Sequence, residues 1–342
     1  MIESSVWSEI NRLGEAKEPF IFLIDFEIKK PIVVSLSELN RYEIQFEINQ
    51  KSFQKSEYHK DFLFEKYPYS FGSYLLEFEQ VQTALKRGDS FLVNLTTSTP
   101  IITDLTLEEI FQFSHAKYKL WLKNDFVCFS PETFIQITEN EIVTFPMKGT
   151  IDAEIPNAED ILLNDLKEKA EHTTIVDLLR NDLSKVAAKV RVEKFRFIEE
   201  IETHQQKLLQ VSSKIKGILP QNYHRNLGNI LRDLLPAGSI SGAPKPKTVE
   251  IIQQVEQKPR GYYTGVFGYF DGNNLDSAVM IRYIEKTEKG FFYRSGGGIH
   301  TMSNPKSEYK ELIDKIYVPI YREPQSTKGG NMELGIPLFT AK

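Results

Sequence analysis

Two short extended runs set back to back constrain this chain most. Thr133 to Thr138 and Glu141 to Phe145 read as strands, and only Glu139-Asn140 separates them, with Asn140 able to take a left-handed turn conformation. A second hairpin is expected from Tyr263 to Phe270 and Leu275 to Glu285, closed by Asp271-Gly272-Asn273-Asn274. Phe91 to Thr97, Phe126 to Ser130, Val190 to Ile198 and Phe291 to Ser295 also look extended. Helical patterns fall between these runs. Tyr74, Phe78, Val81 and Leu85 recur at helical spacing before a stop at Gly88. Asn157, with Asp160 three residues on, is expected to cap a long helical region whose apolar positions Ile161, Leu162, Leu166, Ile175, Val176 and Leu179 lead towards Leu183. Pro305 opens a last helix through Tyr317. Hairpins with helices inserted between them predict an α+β domain dominated by antiparallel sheet.

Composition narrows the function more than the fold. With 41% hydrophobic and 26% charged residues in 342, a large core is affordable and globular character is expected. A net charge of -5 gives no whole-protein attraction to nucleic acid or to an anionic membrane. The one cysteine rules out an internal disulfide and a thiolate zinc cluster, and Cys128 sits in an apolar run where a buried strand thiol is expected. The N-terminal residues lack a basic region followed by an apolar one, and the longest apolar stretches, such as Phe20 to Ile24, are too short to span a bilayer. A soluble cytoplasmic protein with neither membrane nor nucleic-acid partners is expected. No repeat or linker divides the chain, so residues 1–321 read as one catalytic domain and 322–342 as a loose tail.

Several segments could carry chemistry. In Pro146-Met147-Lys148-Gly149-Thr150, proline ends a strand, and glycine lets the backbone turn beside whatever Lys148 touches. A desolvated lysine can serve as a nucleophile, although the pentapeptide alone favours a solvated loop lysine. Glu308, Glu311 and Lys315 share one helix face, which suits either a hard cation with an anionic ligand or an ordinary salt-bridged surface. Glu171 to Asp182 forms another polar block. Gly238 to Lys245 could offer backbone N–H groups to an anion at a helix start. Gly296-Gly297-Gly298, directly after an expected strand, permits close backbone approach to a ligand or merely a strand exit. Arg282, in the middle of an expected strand, could fork onto a carboxylate.

Taken together and in order, these segments resemble the chorismate-utilising enzymes: anthranilate synthase, aminodeoxychorismate synthase component I, isochorismate synthase and salicylate synthase. The likeness runs from about Gly72 to Ile320 and includes Gly88 to Leu95, Ser130 to Phe134, the pentapeptide, the Glu171 to Asp182 block, Ser241-Gly242-Ala243-Pro244-Lys245, the triple glycine and the last helix. It implies two packed antiparallel sheets covered by outer helices, and Mg²⁺ bridging a substrate carboxylate. Positions matching the family's metal ligands are Glu171 and Glu311, with Glu308 close by. Those matching its substrate-binding residues are Gly149, Thr150, Ser241, Tyr263, Arg282, Gly296, Gly297, Gly298 and Lys315, and Glu132 matches its general acid.

The residue before Gly-Thr separates members of the family. Aminodeoxychorismate synthases resemble this chain in having lysine there, as Lys148, whereas the others have alanine. The resemblance therefore implies conversion of chorismate and ammonia to 4-amino-4-deoxychorismate, for 4-aminobenzoate and folate biosynthesis, with Lys148 as covalent nucleophile. A separate glutamine amidotransferase subunit is the implied ammonia source. Anthranilate synthase component I, or a chorismate-binding paralogue without catalysis, is the alternative. The chain departs from the pattern in three places. Leu92 stands where isochorismate and salicylate synthases have a water-activating lysine, and the family's usual glutamine is missing near it. Leu209 takes the place of a histidine, with His204 the nearest substitute. The N-terminal region is shorter.

Overall fold

The strand Phe20–Ile24 is buried on both faces. Phe20, Phe22 and Ile24 pack with Val6, Trp7 and Ile10 of the helix Ile2–Glu15, while Ile21 and Leu23 pack with Tyr118, Leu120 and Phe126 of another sheet. A strand apolar on both sides needs a layer on each, and this one has helices on one face and a second sheet on the other. The computed structural model describes residues 2–48, 58, 60–202, 207–256 and 258–320.

Among these residues two sheets form, of nine and eight strands, and every ladder is antiparallel. The first runs in order Met147–Asp152, Lys207–Ile218, Glu141–Thr144, Thr133–Thr138, Leu275–Val279, Val266–Phe270, Phe20–Ile24 and Ile32–Ser35, with Ala188–Glu202 also on Lys207–Ile218. The second runs Gly242–Ala243, Leu92–Thr103, Gly290–Ile299, Tyr283–Thr287, Phe126–Ser130, Tyr118–Leu122 and Ile44–Ile48, with Phe64–Lys66 also on Leu92–Thr103. The sheets face one another through Ile21, Leu23, Phe126, Cys128, Phe267 and Met280. Helices cover the outer faces, so the expected α+β sandwich is the observed one. No helix among the described residues is long and apolar enough to cross a membrane.

Local expectations needed correcting. The first hairpin forms with Gln136 opposite Val143, but Glu139 takes the left-handed conformation (φ 57°). Asn140 instead anchors the turn, its carbonyl accepting from the Leu219 N–H. The expected strand Leu275 to Glu285 is two strands in different sheets, Leu275–Val279 and Tyr283–Thr287. The chain crosses over at Arg282, which is left-handed (φ 51°) and gives its carbonyl to the Phe129 N–H. Arg282 is therefore a joint and not a mid-strand residue. Asn157 is left-handed and makes no side-chain cap. The helical region divides into Ala158–Asn164 and Leu166–Leu183, and Asp165 caps the second by accepting from the Glu168 N–H. The triple glycine lies within the strand Gly290–Ile299, Gly296 to Gly298 opposing Thr96 to Asn94. Gly-rich sequence conceals a strand because it lacks the side chains that signal one. The strand begun near Phe91 runs on to Thr103. Residues 322–342 and His204 lie outside the described residues.

One buried side chain ties the layers together where the sheets adjoin the helix Lys245–Glu256. Arg260, 1% exposed, donates to both carboxylate oxygens of Glu256 (2.7 and 2.9 Å), to the Ile240 carbonyl (2.9 Å) and to the Asn94 carbonyl (2.6 Å). Glu256 also accepts from the Thr96 N–H at 2.9 Å. Removing one member of a buried ion pair strands the other charge and costs about 3–5 kcal/mol. Arg260→Ala should lose about that much unfolding free energy in a urea titration; a loss below about 1 kcal/mol would contradict the role given to it.

Candidate active site

Lys148 reaches its position because its strand is irregular. Between Lys148 and Thr150 the register against Lys207–Ile218 slips, and Gly149 at the slip has φ 69°. A bulge of this kind re-aims the neighbouring side chain. A Cβ on Gly149 would lie 3.0 Å from Leu162 Cδ1 and 3.2 Å from Glu168 Oε2, so space as well as φ demands glycine. The Lys148 side chain enters a cleft of about 770 Å³ lined from both sheets and their helices.

The glycine strand forms one wall. A Cβ on Gly298 would stand 3.4 Å from Lys148 Nζ and 3.1 Å from Leu92 Cδ1, and one on Gly297 would stand 3.9 Å from Glu308 Oε2, Glu311 Oε1 and Lys315 Nζ alike. Glycine thus keeps open the space on which the last helix and Lys148 converge. Asn304 caps that helix, Pro305–Asp314, accepting from the N–H groups of Lys306 and Ser307. Lys315 lies just beyond its end, with Nζ 2.7 Å from Glu311 Oε1 and donating to the Gly296 carbonyl at 2.9 Å. Burial, with Arg282 and Lys148 nearby, lowers the Lys315 pKa against the pull of Glu311.

Glu171, from the helix Leu166–Leu183, is buried and lies between two partners. Oε2 is 3.1 Å from Lys148 Nζ and Oε1 is 2.6 Å from His300 Nε2. Burial works against the Lys148 charge, but the Glu171 carboxylate, helped by Glu311 and Glu168, outweighs it and raises the pKa. Glu132 is half-buried in the turn between Phe126–Ser130 and Thr133–Thr138, and the Ser239 hydroxyl donates to its Oε1. Burial raises its carboxyl, more than Ser239 and the cations Lys148, Arg282 and Lys315 lower it. The Tyr263 ring lies under the Arg294 guanidinium at 5.2 Å, and burial pushes its hydroxyl up to about 12. Arg282 lies 5.6 Å from the Tyr317 ring centre.

Of the residues expected from sequence, the cleft brings together Glu132, Lys148, Gly149, Glu171, Tyr263, Arg282, Gly296, Gly297, Gly298, Glu308, Glu311 and Lys315. Thr150 pairs with Gln210 in the strand, and its side chain is outside what is described. Ser241 does not line the cleft. It ends the helical turn Gly238–Ser241, so its hydroxyl folds back onto the Ala237 carbonyl at 2.9 Å and is fully buried. Ser239, two residues earlier, faces the cleft instead. Sequence also missed Arg294, Tyr317 and His300. The last was two residues past the glycines, and nothing in the local pattern marked it. Leu92 lines the cleft as an apolar wall, while Leu209 pairs with Ile151 and Glu200.

The arrangement combines an amine, a carboxyl favoured in its neutral form, several cations able to hold an anion, and a group of carboxylates. Among the described residues no three His, Cys, Asp or Glu side chains stand ready to enclose a metal ion. Glu308 and Glu311 nevertheless converge over Gly297, and Mg²⁺ takes only one or two carboxylates while keeping its waters. The donor chemistry fits a hard cation.

Residues 23–320 match the family model of the chorismate binding enzymes. The chain is 50% identical over 315 residues to an uncharacterised PabA-like protein of Pasteurella multocida, covering 91% of this chain and 97% of that one. It is 35% identical over 254 residues to aminodeoxychorismate synthase component 1 of Bacillus subtilis, covering 70% of this chain and 53% of that one. The menaquinone-specific isochorismate synthase of Escherichia coli shares the fold, with a TM-score of 0.69 at 14% identity over 91% of this chain and 80% of that one.

The raised carboxyl of Glu132 has a consequence for stability. Its neutral form is the one that folding favours, so the associated stability is present below the unfolded value of about 4.3 and is lost as pH rises through the folded value. Glu132→Gln removes the titration and keeps an acceptor for Ser239. Melting midpoints of variant and wild type should converge near about pH 4 and separate as pH rises, with the variant the more stable; a wild-type advantage at neutral pH would overturn the assignment.

Proposed function

The chain belongs to the chorismate-binding enzyme family, and from that premise we propose that it aminates chorismate to 4-amino-4-deoxychorismate, for 4-aminobenzoate and folate biosynthesis. The observation carrying this reading is the Lys148 amine in the cleft, against the glycine strand and donating to the Glu171 carboxylate. In the proposed reaction Lys148 first gives up a proton to water in the cleft. Its nitrogen then attacks C2 of chorismate, the diene electrons shift, and the C4 hydroxyl departs as water with a proton from Glu132. Ammonia next attacks C4 and passes its surplus proton to the Glu132 carboxylate, the double bonds return, and the C2–N bond to Lys148 breaks with its electron pair going back to the amine. The raised carboxyl of Glu132 suits an acid, and a positioned acid contributes typically about 10²–10⁴-fold. Arg282, Arg294 and Lys315 supply positive charge to orient the substrate carboxylates. Glu171 and Glu311, with Glu308 close by, would hold Mg²⁺, which would supply charge neutralisation at a substrate carboxylate.

Ammonia is proposed to come from a glutamine amidotransferase partner. The one thiol of this chain, Cys128, is fully buried between the sheets, and burial raises its pKa far above its ordinary value. A thiol in that state cannot attack glutamine.

The test supplies chorismate, Mg²⁺ and ammonium, and follows the product with an aminodeoxychorismate lyase. Release of 4-aminobenzoate is expected, and fluorescent anthranilate or unreacted chorismate would overturn the reading. Lys148→Ala should abolish product at saturating ammonium while still binding chorismate, and Glu132→Gln should lower kcat by about 10²–10⁴-fold. EDTA should remove activity and Mg²⁺ should restore it. Glutamine in place of ammonium should give no product with this chain alone.

A further inference from the structure

The Asn94 side chain lines the cleft and has no role assigned so far. Asn94 lies opposite Gly298 in the ladder between Leu92–Thr103 and Gly290–Ile299. Residues directly opposed in an antiparallel pair point to the same face, with Cβ positions about 4.5–5.5 Å apart. A Cβ on Gly298 would stand 3.4 Å from Lys148 Nζ, so the Asn94 side chain and the Lys148 amine border the same open space. Gly297 faces the other way by strand alternation, towards Glu308, Glu311 and Lys315. The strand under Asn94 is fixed, because Arg260 donates to the Asn94 carbonyl at 2.6 Å. Asn94 Oδ1 is buried, and among the described residues it has no hydrogen-bond partner. A buried acceptor without a donor is disfavoured, which calls for a ligand that brings an N–H or O–H.

We propose that the Asn94 amide oxygen receives the ammonia that attacks C4: it accepts one N–H and leaves the nitrogen lone pair free for carbon. This rests on the amination reading and gives its nucleophile a place. Arg282, Arg294 and Lys315 are cationic donors and offer no acceptor to an N–H. Glu132 has by then given its proton to the departing hydroxyl, so its carboxylate can accept a second N–H. Two acceptors fix the direction of the lone pair, which one alone would leave free to rotate. A carboxylate in place of Asn94 would favour ammonium, which has no lone pair to give, whereas an amide accepts without taking a proton. Leu92, two residues earlier on the same face, has Cδ1 3.1 Å from the Gly298 Cβ position and gives competing water no anchor there. As the N–C4 bond forms, Asn94 gains and loses no proton. The surplus proton goes to Glu132, and the electron pair of the C2–N bond returns to Lys148.

The test separates the two half-reactions on the full chain. With chorismate and Mg²⁺ but no ammonium, the intact-protein mass should rise by chorismate less one water, the adduct on Lys148. Added ammonium should discharge it, with 4-aminobenzoate read through the lyase. Asn94→Ala should form the adduct within about twofold of the wild-type rate and raise the KM for ammonium by roughly 3–10-fold, the effect of one lost hydrogen bond, with the KM for chorismate within about twofold. Asn94→Leu, which fills the side-chain volume, should behave alike. Unchanged ammonium dependence would overturn the proposal, and so would a loss confined to adduct formation or to the KM for chorismate. Melting of both variants below the assay temperature would make Asn94 a framework residue and overturn it too. If wild type forms adduct and product and the variants match it, the amination reading stands and only the role of Asn94 falls. If wild type forms neither, the amination reading fails and the acceptor role falls with it.

Discussion

The Arg260–Glu256 pair is the constraint on which the cleft depends. An arginine with almost no exposure is tolerable only if its donors are satisfied, and here they are satisfied by groups that line or support the cleft. The Asn94 carbonyl belongs to the strand facing the glycines, and Ile240 belongs to the turn that presents Ser239 to Glu132. The Phe26 ring lies 4.7 Å from the guanidinium, and Glu27 accepts from the N–H groups of Arg260 and Gly261. A single guanidinium therefore links a strand of the second sheet, the helix Lys245–Glu256 and the turn Gly238–Ser241 to the same wall of the cavity. A hydrophobic contact could not do this, because it does not specify direction.

Within that frame the cleft keeps opposite charges close without neutralising them into one unit. Lys148 is held by Glu171, Lys315 by Glu311, and Arg294 by Glu285. Each pair stays at the edge of a volume large enough for a small dicarboxylate. The acid is treated differently: Glu132 has a serine hydroxyl and no ion-pair partner within contact distance among those described, and burial favours its neutral form. The same wall thus offers an amine and a carboxyl whose pKa is raised by burial, which reflects environment and not residue type.

Much of this was legible from residues alone, and the exceptions have physical causes. The Lys148 pentapeptide and the triple glycine were legible because glycine marks backbone that must turn or stay clear of side chains, and the glutamates of the last helix because helical spacing puts Glu308 and Glu311 on one face. Ser241 misled because a helical tetrapeptide turns its fourth hydroxyl back onto its own first turn, which no composition signal reveals. Arg282 read as mid-strand because alternation continues through it, although the chain changes sheets there. His300 was invisible because the residue it touches is Glu171, far away in sequence, and long-range contact leaves no local pattern.

The pairing of Phe20–Ile24 with Val266–Phe270 has a meaning for how the protein comes into being. Five consecutive apolar residues are made well before the strand they need on one side, Val266–Phe270, which follows them far along the chain. At ribosomal speeds of roughly 5–20 residues per second, that partner emerges some tens of seconds later. Until then Phe20–Ile24 has the make-up of an aggregation-prone segment, with Ile32–Ser35 and the helix Ile2–Glu15 as its nearby cover. The sheet that carries Lys148 is thus completed only once Val266–Phe270 has emerged, and until then the nascent chain must stay soluble with Phe20–Ile24 half-paired.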